Sequence, residues 1–445
     1  MQSGENYVSE VTGNDYIDGS LYGKFNVKRG LRNTDGTGVL VGLTRIGDVH
    51  GYIIDEGEKV SVEGKLYYRG IDVEDIVGAA AAEGRFGFEE TVYLLLFGSL
   101  PTAEELSRFC DLMGENRSLP PRFAEDSIMK APSRDIMNKM ARSALTLYSY
   151  DDNPEDNSPE NVLKQCISLI SRFPTLAAYS YMAKKHYYDN ESLIIHLPAP
   201  SCRSAETILS LIRPDQKFTR LEAEILDLAL ILHAEHGGGN NSTFAVHLVS
   251  SADTDTYAAI GAALGSLKGF KHGGANIKTI GMMEDIKTHV KHWDDEGEVA
   301  DYLVKILRGE AYDKTGLIYG QGHAIYTKSD PRAVLLRNKA AFLAEEKNAG
   351  DEYRLYRLIE RLTPETFKKV KGSGKDICSN VDFYSGFVYR MLGIPSELFT
   401  PIFAVSRVAG WCAHRLEEII SGGRIIRPAY KCVQPRLGYV PLGER

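Results

Sequence analysis

The stretch RLEAEILDLALILHAEHGGGN, Arg220–Asn240, decides how the rest of the chain is read. Its leucines, isoleucines and alanines recur at helical spacing, and Gly237 is expected to end the helix as its C-cap. Working outward, the same kind of pattern predicts helices in NVLKQCISLISRF (161–173), SAETILSLI (204–212) and TDTYAAIGAALGSLKGF (254–270). The last places small residues at Ala258, Gly261, Ala262 and Gly265, a face on which another helix can sit closely. Thr102 and Glu105 form a capping box ahead of Leu106, Phe109, Leu112 and Met113. Strand-like runs are few: LVGLTRI (40–46), YIIDEGEKVSV (52–62) and YVPL (439–442). No repeat of 20 to 50 residues recurs, which argues against a solenoid. The expected fold class is all-α in two lobes. A loop-heavy arm covers residues 1–50, and a charged helical region at roughly 285–375 reads as the smaller lobe.

Composition narrows the function classes. With 43% hydrophobic and 25% charged residues among 445, the chain can bury a large core without staples. A net charge of −8 without a basic block gives no broad footprint for nucleic acid. The six cysteines show no paired spacing and read as reduced thiols of a cytosolic protein. No apolar run approaches the roughly 20 residues that span a bilayer, and the acidic, polar start does not read as a targeting signal. A cytoplasmic protein without membrane contact is expected.

Three histidines stand in glycine-rich settings: His236 in HAEHGGGNNS, His272 in KHGGAN and His323 in YGQGHAIY. Imidazoles at such boundaries have little steric cover and can face a ligand. His233 and His236 could share one helix face as metal ligands, but no H-E-x-x-H arrangement and no nearby cysteine supports zinc, so no metal is expected. Gly372-Ser373-Gly374-Lys375 is an incomplete phosphate loop, and no dinucleotide fingerprint is present. Asp330-Pro331-Arg332 reads as N-cap, first helical residue and a first-turn guanidinium. Arg407, among apolar and small neighbours in VSRVAGW, needs an anionic partner if buried, and Arg427 precedes Pro428. Several arginine forks suit a small di- or tricarboxylate. Asp382 in SNVDFYSGF has apolar neighbours that would raise its pKa toward that of a general base. A base, neutral imidazoles and carboxylate-binding arginines together imply proton abstraction beside a carbonyl and carbon–carbon bond formation.

These motifs resemble those of the citrate synthase family: YRGID (68–72), LLLFGSLPT (94–102), LHAEHGGGNNST, LKGFKHGGAN, GHAIYTKSDPRA, NVDFYSG, SRVAGW and IIRPAY occur together and in order. The resemblance implies an acyltransferase of the tricarboxylic acid cycle that condenses acetyl-CoA with oxaloacetate and water to citrate and CoA. It needs no metal or other cofactor. By resemblance, Asp382 takes the methyl proton, His272 stabilises the enol(ate), and His323 polarises and protonates the oxaloacetate carbonyl. His236, Arg332, Arg407 and Arg427 would bind substrate, with Arg427 reaching across a homodimer, and Lys375 is a candidate for CoA phosphates. The implied small domain, 277–390, is inserted between two parts of a large one, 51–276 and 391–445. Gln321 and Ser379 depart from the usual family residues near the acyl side. A 2-methylcitrate synthase using propionyl-CoA is the nearest alternative. A non-catalytic, carboxylate-binding helical scaffold and a metal-dependent hydrolase are the rivals of other classes.

Overall fold

The structure is a computed structural model that describes residue 12 and residues 15–33, 36–55, 58–372 and 376–445. Its contacts divide the chain into two compact units, Met1–Leu43 and Thr44–Arg445. Within the first lie a short helix, α1 (Ser20–Lys24), and an isolated antiparallel bridge between Arg32 and Gly38.

The second unit opens on a three-stranded antiparallel sheet, β1 (Gly47–Asp55), β2 (Glu58–Tyr68) and β3 (Ile71–Asp72), in the order β1-β2-β3. Val49 faces Leu66 across it, and the register slips between His50 and Tyr52. Residues 52–55 and 58–62 therefore lie in paired strands, in line with the strand-like reading of that run. Among the described residues, runs 40–46 and 439–442 join no sheet, and Leu40, Leu43 and Tyr439 are exposed.

Helices make up the rest. They are α2 (Val73–Ala82), α3 (Phe88–Phe97), α4 (Ala103–Glu115), α5 (Ile136–Leu147), α6 (Pro159–Asp189), α7 (Ser204–Ile212), α8 (Arg220–His233), α9 (Asn241–Ser250) and α10 (Thr256–Lys268). There follow α11 (Phe270–Gly273), α12 (Ala275–His289), α13 (Glu296–Leu307), α14 (Pro331–Glu346), α15 (Gly350–Lys371), α16 (Val381–Met391) and α17 (Phe399–Ser421). Their starts follow from local chemistry. Thr102 and Glu105 close a capping box on α4, Thr219 and Glu222 close another on α8, and Asp330 caps α14 with Pro331 in its first turn. α17 is buried at nearly every position from Phe399 to Leu416, so it forms the central rod, on which α3, α6, α8, α9 and α10 pack. Helices α12 to α16 pack chiefly on one another and reach this group mainly through α8. No helix among the described residues is long and apolar enough to cross a membrane.

One sequence expectation fails at the place that matters most. α8 ends at His233 with Ala234, not Gly237, as its C-cap, and Gly237 takes φ 83° in the turn beyond. The reason is tertiary. Tyr68 Oη donates to Ile231 O at 2.9 Å and lies 3.2 Å from Glu235 O, so a strand residue satisfies carbonyls that a glycine cap would otherwise serve.

Candidate active site

The turn leaving α8 is held from three sides. Tyr68 Oη bridges Ile231 O in the last turn of α8 and Glu235 O beyond it, Gly410 N of α17 donates to Ala234 O at 3.2 Å, and Gly237 N donates to Glu235 Oε1 at 2.5 Å. His236 is thereby buried with its ring perpendicular to that of His323, centroids 5.2 Å apart. Burial, reinforced by Arg332, holds the His236 imidazole well below its ordinary pKa, so it is neutral and its Nε2 has no hydrogen-bond partner.

His323 and Asp382 hang from a single clasp between residues 320–322 and 378–380. Gly322 N donates to Cys378 O at 2.7 Å, Asn380 N to Gly320 O at 2.9 Å, and Gln321 Nε2 to Ser379 Oγ at 2.8 Å. The two residues singled out as departures are thus partners. Gly320 sits at φ 76° and a Cβ there would lie 2.9 Å from Phe383 Cα, so only glycine permits this approach. On one side of the clasp, His323 Nδ1 accepts the N–H groups of Ile325 and Tyr326, each at 3.1 Å, which leaves the proton of the neutral ring on Nε2. Its ring stacks on Tyr326 at 4.7 Å. On the other side, Asn380 caps α16 through Asp382 N and sets Asp382 in the first turn. Burial pushes the Asp382 carboxyl up to about 6, with Arg332 and Arg407 pulling down and Asp330 pushing up. Among the described residues no hydrogen bond reaches that carboxyl.

The two arginines that share this electrostatic neighbourhood are held differently. Arg332 gives its Nε to Asp330 Oδ1 at 3.0 Å and its Nη2 to Asp330 Oδ2 at 2.7 Å, so the capping aspartate also fixes the guanidinium that follows it. Arg407 is wholly buried, gives Nε to His233 O at 2.5 Å, and lies with Cζ 4.6 Å from the Phe403 ring centre. Its Nη1 has no partner, and burial pushes its pKa down to about 10. A buried guanidinium without a bonded carboxylate costs free energy until an anion reaches it.

His272 lies on α11, with Nε2 3.0 Å from Ser242 Oγ. That hydroxyl also accepts Trp411 Nε1–H at 3.1 Å and lies 2.9 Å from Asn240 Oδ1. Its single proton goes either to Asn240 or to His272, so Ser242 governs which His272 nitrogen carries hydrogen. Burial pushes the His272 pKa down to about 4, which keeps it neutral.

Contacts and electrostatic neighbourhoods thus join His236, His272, His323, Arg332, Asp382 and Arg407. Arg427 is not among them: it is exposed in the tail after α17, in a stretch that forms no helix or strand. Lys375 lies outside the described residues. The sequence reading missed Ser242, Tyr326 and the second role of Asp330. Only the offset of three between His323 and Tyr326 in GHAIY gave a local cue. Among the described residues, one trio of side chains, His247, His414 and Glu417, holds metal-ligand atoms within 4.8 Å of one another, and it includes none of the three site histidines.

Comparison with known proteins gives one answer. The family model described as citrate synthase, C-terminal domain, matches residues 33–429. A citrate synthase of Haloferax volcanii is 33% identical over 425 residues, covering 94% of this chain and 99% of that one. A 2-methylcitrate synthase of Shewanella oneidensis is 32% identical over 390 residues, covering 87% and 94%. Among solved structures, the citrate synthase of Thermoplasma acidophilum in ternary complex with carboxymethyl coenzyme A and oxaloacetate superposes with a TM-score of 0.75 at 26% identity, over 94% of this chain and 99% of that one.

Proposed function

The chain belongs to the citrate synthase family, and from that premise we propose how its residues divide the work of condensing acetyl-CoA with oxaloacetate and water to citrate and CoA. Asp382 takes a proton from the methyl carbon of acetyl-CoA. His272 donates a hydrogen bond to the thioester oxygen as the enol(ate) forms, a role that requires the Ser242 hydroxyl to point at Nε2 and leave the ring proton on Nδ1. His323 Nε2–H polarises the oxaloacetate carbonyl, and after the new carbon–carbon bond forms it protonates the alkoxide. Water then cleaves the citryl thioester and releases CoA. His236, Arg332 and Arg407 bind the carboxylates and carbonyl of oxaloacetate, and Arg427 completes the site from the partner subunit of a homodimer.

One observation supports this reading above the others. Arg407 Nη1 and His236 Nε2 are buried donor-capable atoms without partners in the same electrostatic neighbourhood, which an oxygen-rich anion would satisfy. We assign residues 51–276 and 391–445 to a large domain and 277–390 to a small one, after an N-terminal arm of 1–50. The mutual packing of α12 to α16 favours that division. The cytoplasm is the proposed location, CoA phosphates are the proposed contact of Lys375, and no metal takes part.

The acyl group is the finer question. One methylene is worth only about 1–3 kcal/mol in an apolar pocket, and a 2-methylcitrate synthase is among the relatives. Release of free thiol from acetyl-CoA and propionyl-CoA, each with and without oxaloacetate, decides it. Release from acetyl-CoA should dominate, require oxaloacetate, and fall by about 10²–10⁴-fold in Asp382→Asn. Full activity in that variant would remove Asp382 from the base's role.

A further inference from the structure

Beneath the turn that carries His236 runs a line of partly and wholly buried groups that the chemistry above does not use. Glu418 Oε2 lies 2.8 Å from His247 Nδ1, His247 Nε2 lies 3.0 Å from His414 Nδ1, and His414 Nε2 lies 3.0 Å from Glu235 Oε1. With both end carboxylates ionised, His247 Nδ1 and His414 Nε2 must carry hydrogens, and the ring-to-ring contact needs one more. One ring is therefore an imidazolium. His414 is the one: burial works against its charge, but Glu235 and Glu417 push it up to about 9, whereas burial pushes His247 down. Glu235 and His414 are both fully buried and so form an enclosed ion pair.

That pair bears directly on His236. Glu235 Oε1, the atom His414 holds, also accepts Gly237 N–H, so one carboxylate oxygen ties together the residues on either side of His236. A Cβ placed on Gly238 would meet His414 Cε1 at 3.6 Å and His247 Nε2 at 3.7 Å, which puts both rings immediately under the turn. Glu235 is also the strongest opposing charge acting on Arg407.

We propose that Glu235 is a positioning residue whose carboxylate, anchored by His414 with His247 and Glu418 behind it, fixes the turn so that His236 can meet oxaloacetate. The inference rests on the assignment of His236 to that substrate.

Calorimetric titration of oxaloacetate into the full-length protein, without acyl-CoA, tests it on wild type, His414→Leu, His414→Gln and Glu235→Gln, with a thermal melt of each. His414→Leu should weaken oxaloacetate binding by about 10- to 100-fold, as displacement of a positioned group by an ångström does. The KM for acetyl-CoA at saturating oxaloacetate should stay within about threefold, since among the described residues His272 bonds to Ser242 and not to this line. His414→Gln, whose amide can still donate to Glu235, should recover most of the affinity. A His414→Leu protein that melts like wild type and binds oxaloacetate as tightly overturns the proposal, as does a His414→Gln protein no better than His414→Leu. If His414→Leu does not fold, Glu235→Gln carries the same test: it keeps an acceptor for Gly237 and loses the charge, and unchanged affinity overturns the proposal. Failure of the wild type itself to bind oxaloacetate would reject the substrate assignment instead.

Discussion

Asp382 must lose a proton to act, yet its surroundings favour keeping one. Its carboxyl is pushed up by burial to about 6, above the 3.8 of an exposed aspartate, so the folded state binds the proton more tightly than the unfolded state does. The stability linked to that proton is present at low pH and is lost as pH rises through about 6. Asp382→Asn should therefore melt higher than wild type at pH 8, by about 1–3 kcal/mol of unfolding free energy, and match it near pH 4. Differential scanning calorimetry at the two values checks this, and an equal melt at pH 8 would contradict the burial argument. Ser242 carries a second prediction at this scale. Without its hydroxyl, His272 is free to take either tautomer, so Ser242→Ala should lower kcat by about 10- to 100-fold, short of losing a whole oxyanion donor, with the oxaloacetate KM nearly unchanged. Steady-state kinetics separate the two parameters. Residues of the first kind were legible in the sequence because glycines and apolar neighbours mark them. Ser242 was not, because its importance lies in an accepted Trp411 N–H and in one hydroxyl proton for which Asn240 and His272 compete, groups that meet only in the fold.

At the scale of elements, helix starts were legible and one helix end was not. The Thr102–Glu105 capping box and the Asp330–Pro331 pair are local chemistry, and the structure keeps both. The end of α8 is set by Tyr68, more than 160 residues earlier, and no local signal carries that. The same long-range control makes the crossing of α8 and α17 intolerant. A Cβ on Gly410 would fall 2.4 Å from both Ala234 O and Glu235 Oε2, and neither can retreat without moving the turn that bears His236. Gly410→Ala should cost at least about 1–3 kcal/mol of stability, as overpacked cores do, and should weaken oxaloacetate binding in whatever protein folds. Chemical denaturation and calorimetric titration measure the two effects. Wild-type values in both would show that the contact relaxes freely.

For the whole molecule, the all-α class followed from helical periodicity and scarce strand patterns, and the sheet proved to be a small exception at the start of the second unit. Residues after α17 were harder to place. The tail exposes Tyr430, Leu437, Tyr439 and Leu442, and Arg427 within it is exposed as well. The homodimer we propose makes a quantitative prediction. Inactive Arg427→Leu and Asp382→Asn chains, unfolded together and reassembled, should form mixed dimers in which one of the two sites is whole. Random pairing makes half the dimers mixed, so about a quarter of wild-type activity should return, as expected for a two-fold assembly with shared sites. No recovery despite mixed dimers would place Arg427 in its own subunit's site or in none.

The clasp between residues 320–322 and 378–380 has a last consequence. Because the proton acceptor and the carbonyl polariser hang from the same fastening, they cannot drift relative to each other, whereas the imidazole at α11 and the guanidinium on α17 belong to separate elements. The clasp itself does not set the interval between the fastened pair and those two groups. A wedge lodged in that interval would silence the chemistry without resembling either reactant or touching an atom that reacts.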